Sequence, residues 1–104
     1  MSPVTIVNFF EIDPDKLDEF IGLQHAYATS LAGGDEPSGL IGGRMYRGQD
    51  GRSAVLISQF ESTEAQERIR NSDAFKQHIA QLKALIVSTN PKLYEEAYTA
   101  GAFS

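Results

Sequence analysis

The chain has 104 residues, 41% of them apolar, with nine Lys and Arg against 14 Asp and Glu, a net charge of −5 and no cysteine. That length supports one domain with a modest core, so residues 1–104 are read as a single unit. An acidic balance with no basic cluster argues against nucleic acid or anionic membranes as partners, and the lack of cysteine removes disulfides, thiolate metal sites and cysteine nucleophiles. No apolar run approaches the roughly 18 residues that span a bilayer. The N-terminal stretch MSPVTIVNFFEIDPD has neither the charged start nor the cleavage site of a signal peptide. The expectation is a soluble, cytoplasmic domain.

VTIVNFFEI, residues 4–12, reads as the first strand. Alternation groups Val4, Ile6, Asn8, Phe10 and Ile12 on one face and Thr5, Val7, Phe9 and Glu11 on the other. Asn8 thus interrupts the more apolar face, where an amide must find hydrogen bonds or meet something polar. Asp13 and Pro14 then start a helix whose opening carries Asp15, Asp18 and Glu19. Leu17, Phe20, Ile21, Gln24, Ala28 and Leu31 recur at helical spacing, and AGGDEPSG ends the run. LIGGRMYR (40–47) and SAVLISQFE (53–61) read as two strands joined through Asp50-Gly51, with the paired glycines marking a bulge or a close approach. Thr63 opens a capping-box pattern with Gln66, and a short helix runs to about Asn71. Asn71 or Ser72 recaps a second segment, with Phe75, Ile79, Leu82 and Ile86 as its expected buried stripe. Asn90-Pro91 reads as a turn, and residues 92–100 as the final strand.

The order β-α-β-β-α-β predicts an α+β, ferredoxin-like sandwich: a four-stranded antiparallel sheet with its helices on one face. Val7 and Phe9 would then lie on an uncovered face. The expected solution is a homodimer packed sheet to sheet, a dimeric α+β barrel.

Three stretches, VTIVNFFEIDPDKLDEFI, SAVLISQFESTEAQERIRNSDAFKQHI and LYEEAYTA, resemble the antibiotic biosynthesis monooxygenase family over nearly the whole chain. The resemblance implies a dimeric α+β barrel with a pocket between sheet and helices. It also implies oxygenase chemistry on phenolic, often polyketide-derived rings without metal or flavin, in which the protein supplies deprotonation, orientation and hydrogen bonds. Haem-degrading relatives pair a first-strand asparagine, matched by Asn8, with a tryptophan and a histidine that align with Ile69 and Ile79. Haem degradation is therefore disfavoured. Phe60 stands where many members carry tryptophan, and Gln66 where an aromatic is usual.

Asn8 could anchor a substrate oxygen or a developing anion, or could be a core amide bonded internally. His25 and His78 each lie on a predicted helix and could serve as a base or simply be partly exposed helical residues. Tyr27, Tyr46, Tyr94 and Tyr98 could offer hydroxyls or pack at an edge. Arg44 could pair with a phenolate or extend into solvent, and Phe10 and Phe60 could line a pocket or fill the core. No carboxylate accompanies either histidine at a metal-ligand spacing, and the glycines form no phosphate-binding motif, so neither metal nor cofactor is expected. The leading expectation is a cofactor-independent monooxygenase acting on an aromatic small molecule. Asn8 would be its oxygen anchor, His78 or Tyr46 the proton acceptor, and Phe10, Phe60, Arg44 and His25 the substrate contacts. The alternatives are an isomerase or cyclase on the same barrel and a non-catalytic binding or stress-response dimer.

Overall fold

The computed structural model describes residues 3–34 and 38–103. Strand β1 (Val4–Ile12) leads through a short 3-10 turn, Pro14–Lys16, into helix α1 (Leu17–Ala32). Then follow β2 (Leu40–Arg47), β3 (Ser53–Phe60), α2 (Thr63–Arg70), α3 (Asp73–Leu82) and β4 (Ile86–Tyr94). The strands form one sheet in the order β2-β3-β1-β4, every neighbouring pair antiparallel. The α+β, ferredoxin-like architecture expected from the sequence is present.

Local chemistry accounts for the element ends. The Asp13 carboxylate accepts the Asp15 N–H at 3.0 Å, and Pro14 occupies the first turn, where no N–H is needed. At the other end of α1 the Gly33 N–H donates to the Thr29 carbonyl at 2.9 Å. Pro37, expected to help end this helix, lies outside the described residues, as do Met1 and Ser2 of the N-terminal stretch. The Ser72 hydroxyl caps α3 through the Phe75 N–H at 3.2 Å. In the β2–β3 hairpin Gly51 takes φ +74°, and the Asp50 carboxylate accepts from the Arg52 N–H and the Ser53 hydroxyl. These bonds hold the Asp50 carboxyl below its usual range.

Some expectations are corrected. The cap of α2 is Ser62, whose buried hydroxyl accepts the Ala65 N–H at 3.1 Å, one residue earlier than the Thr63 capping box. The final strand is not 92–100 but Ile86–Tyr94, so Ile86 opens β4 instead of extending the stripe of α3. Asn90-Pro91 lies within that strand, with Pro91 opposite Asn8. A proline is tolerated there because β4 is an edge strand. On α3 the inward residue is His78, 6% exposed, whereas Ile79 is 42% exposed.

The core joins Phe10, Ile12, Ala54, Leu17, Phe20, Leu82 and Leu85, with the Phe10 and Phe20 rings tilted at 4.8 Å. Because Phe10 and Ile12 face the helices, the register separates the two faces of the sheet. Helix-side rows are Arg47–Ala54–Phe10–Thr89 and Met45–Leu56–Asn8–Pro91. Outer rows are Tyr46–Val55–Phe9–Asn90 and Arg44–Ile57–Val7–Lys92. A register shift between Leu40 and Gly42 supplies the bulge expected at the paired glycines.

Gly39 is held at φ +89°, and an added methyl would sit 2.5 Å from the Ala65 Cβ of α2. Left-handed backbone and a clash with a helix then act together, so Gly39→Ala is expected to cost about 2–4 kcal/mol. Urea denaturation measures it; a loss below about 0.5 kcal/mol would mean that the loop relaxes freely.

Candidate functional site

The apolar core gives way to polar groups at one level on three elements. On β1 the change is from Phe10 to Asn8, on α1 from Phe20 to Gln24, and on α3 from Leu82 to His78. Ile12 pairs with Ile86, so α1 runs away from the Ile12 end of the sheet while α3 runs toward it. All three steps therefore point toward the Val4 end.

Asn8 is half-buried, and its carboxamide is fixed by β4. Its Oδ1 accepts from the Thr89 hydroxyl at 2.7 Å and from the Asn90 backbone N–H at 3.2 Å. A backbone N–H can only donate, so the oxygen must face β4 and the NH2 must point the other way. Among the described residues that NH2 has no hydrogen-bond partner. Beyond Asn8 the helix layer stops short of the sheet edge: β4 is exposed from Val87 to Tyr94, including its helix-side residues Thr89, Pro91 and Leu93. Asn8 stands where covered sheet meets open sheet.

His78 and Gln24 link α3 to α1, with Nε2 and Oε1 2.7 Å apart. The Tyr27 ring stacks on the imidazole at 4.1 Å and 10°, and lies tilted 6.1 Å from Phe75. Burial raises the Tyr27 phenol above its ordinary value, opposed by the nearby Ser72 hydroxyl. That hydroxyl already donates to the Ile69 carbonyl and accepts from Phe75, and the buried Tyr27 oxygen has no hydrogen-bond partner among the described residues.

Burial also lowers the His78 pKa, because the charged imidazolium is disfavoured away from water. The unfolded imidazole protonates near pH 6.5 and the folded one only at lower pH. Between these values the unfolded chain holds more protons, so stability declines as pH falls below about 6.5 and levels off beneath the folded pKa. His78→Gln should flatten this part of the stability–pH curve. An unchanged slope between about pH 7 and 5 would remove His78 as its source.

The other residues picked out from the sequence do not all converge. Phe10 and Phe60 are on the helix side and buried, Phe10 against Phe20 and Phe60 paired with Val4 and Leu40, and Phe10 also lines one of two open clefts. Tyr46 and Arg44 are on the outer face, opposite to Asn8, with the Arg44 guanidinium 3.4 Å from the Tyr46 hydroxyl and 5.7 Å from the Phe103 ring centre. His25 is exposed on α1, one residue round from inward-facing Gln24. Ile69, aligned with the haem-degrading tryptophan, is buried, and Ile79, aligned with the histidine, is exposed. Among the described residues no three His, Asp or Glu are grouped as metal ligands would be. Two open clefts, about 270 and 330 Å³, lie at the Glu11 and Arg52 end of the sheet and include neither Asn8 nor His78. The pairing of Gln24 and Tyr27 with His78 has one signal in the sequence, a glutamine inside an otherwise apolar helical stripe.

Comparison with known proteins agrees with this fold. A family model described as antibiotic biosynthesis monooxygenase matches residues 3–81. SnoaB, a cofactor-independent oxygenase from Streptomyces nogalater, superposes in a mutant form with a TM-score of 0.80 at 25% identity, covering 95% of this chain and 97% of SnoaB. Rv0793 from Mycobacterium tuberculosis gives 0.79 at 24% identity over 96% of this chain and 100% of its own. PA3566 from Pseudomonas aeruginosa gives 0.78 at 15% over 94% and 97%. No curated protein sequence matches significantly.

Proposed function

Since the chain belongs to the antibiotic biosynthesis monooxygenase family, we propose that it is a cofactor-independent monooxygenase that oxidises a phenolic or polyketide-like ring with O2. Asn8 carries this reading: its oxygen is tied to β4 while its NH2 is left to donate at the border of the uncovered sheet. His78 accepts the phenolic proton, and Asn8 holds the substrate oxygen or the peroxide anion that follows. The balance is a phenol with a ring C–H plus O2 giving a quinone and water: one oxygen atom enters the ring and the other leaves as water. Similarity to SnoaB supports the oxygen chemistry. Among the described residues no helix is long and apolar enough to cross a membrane. The absence of cysteine fits a reducing compartment, and we place the protein in the cytoplasm.

Oxygen uptake by the metal-stripped protein over a panel of dihydroxyaromatics, anthrones and naphthols tests the reading, with autoxidation subtracted. Saturable uptake that yields quinone is the expected result. Turnover of a panel compound without oxygen consumption would identify an isomerase or cyclase, and saturable binding without turnover a binding protein.

The same proposal includes a homodimer. Phe9 is 51% exposed at the centre of an outer face that also carries Val7, Val55, Ile57 and Tyr46. A second copy packed on this face would remove the apolar row from water. Phe9→Asp would bury a charge in that interface and is expected to yield monomers by light scattering. A wild-type protein that is already monomeric would refute the arrangement.

A further inference from the structure

We propose that Gln24 is a positioning residue that fixes His78 as its Nε2-protonated tautomer, so that Nδ1 is the atom that accepts the substrate's proton. This deepens the oxygenase reading and rests on it for the identity of the proton donor. The geometry is direct: Gln24 Oε1 lies 2.7 Å from His78 Nε2. A carbonyl oxygen can only accept, so Nε2 must carry the hydrogen, and a neutral imidazole then has its lone pair on Nδ1. Among the described residues His78 makes no second hydrogen bond, so Nδ1 is uncommitted. Tyr27, stacked at 4.1 Å on the imidazole, restrains the plane of the ring. The pairing joins α1 to α3 across 54 residues of sequence, so the tautomer is set by tertiary packing and not by a neighbour on the same helix.

In the proton-transfer step the phenolic O–H bond breaks and an Nδ1–H bond forms. The electron pair stays on oxygen, giving a phenolate and an imidazolium whose Nε2–H still donates to Gln24. Burial disfavours that imidazolium, which promotes return of the proton to the reduced oxygen later in the cycle.

Nitrogen NMR of the full chain with isotope-labelled histidine, near pH 8 so that imidazoles are about fully neutral, reads the tautomer without any substrate. His78→Gln assigns the resonance, and exposed His25 is the internal reference. Wild type is expected as the Nε2-protonated form. Gln24→Leu, similar in size, should give a tautomer mixture and a kcat loss of about tenfold or more with KM little changed. Gln24→Glu keeps an acceptor and should restore the tautomer. A wild-type Nδ1-protonated His78, meaning that the Gln24 amide is turned the other way, would overturn the proposal, as would an unaltered tautomer in folded Gln24→Leu. An Nε2-protonated His78 in a protein that consumes no oxygen separates the two ideas: the positioning stands and the oxygenase reading falls.

Discussion

Phe20→Ala is expected to destabilise the protein by about 3–5 kcal/mol, the loss typical of emptying a fully buried aromatic site. Phe20 has no exposed surface and packs its ring 4.8 Å from Phe10, so removing it opens a cavity against the centre of the sheet. The core of this chain is small, and neighbours on β1 and α1 are fixed by sheet and helix hydrogen bonds that limit collapse into the space. For a domain of this size each kcal/mol shifts the melting temperature by about 4–8 °C, so a drop on the order of 15 °C or more should be seen by calorimetry. Val87→Ala, at an exposed position of β4, should move stability by no more than about 0.5 kcal/mol. Equal effects from the two changes would show that Phe20 does not anchor the core.

The largest effect on turnover is expected at Asn8. Asn8→Asp preserves an oxygen acceptor for Thr89 and Asn90 but has no NH2 to donate, so it separates the structural half of the amide from the proposed chemical half. Loss of one positioned donor from an anion-stabilising site lowers kcat by about 10²–10³. Asn8→Ala should show a similar loss of rate and, in addition, about 1 kcal/mol of stability, because Thr89 and the Asn90 N–H lose their acceptor. That stability cost stays small because both bonds are exposed and water can replace the acceptor. Oxygen-uptake kinetics beside urea titration distinguishes the outcomes. Full activity in Asn8→Asp would confine Asn8 to bracing β4 against β1.

The two roles weighed for Asn8 from the sequence are thus not exclusive in the fold. Half of the carboxamide is a satisfied internal group, as for most buried polar side chains. Pro91 stands directly across from it and has no N–H, and the Asn8 side chain takes the donor of the preceding residue, Asn90, instead. None of this could be read locally, because Asn8 and Asn90 are 82 residues apart.

What the sequence by itself determined is what local chemistry controls. Alternation in VTIVNFFEI sorted the faces of β1, and the stripe from Leu17 to Leu31 marked the inner side of α1. Asp13 and Pro14, Ser72 and the Asp50-Gly51 pair set their element ends as expected. The order of elements then left few ways to build one sheet. The tertiary structure decided wherever two local signals were equally good. Residues 75, 79 and 82 and residues 75, 78 and 82 both satisfy helical spacing. Only the docking of α3 on Gln24 and Tyr27 turned His78 inward and Ile79 out. Asn90-Pro91 has the composition of a turn, yet pairing with β1 at the sheet edge, favoured by the β-branched residues of the preceding IVST, drew it into β4. Tyr46 and Arg44 could not be assigned a face from their own strand, because the register of β2 on β3, shifted between Leu40 and Gly42, sets it. That shift turns both side chains away from Asn8, to the side of the sheet opposite the helices.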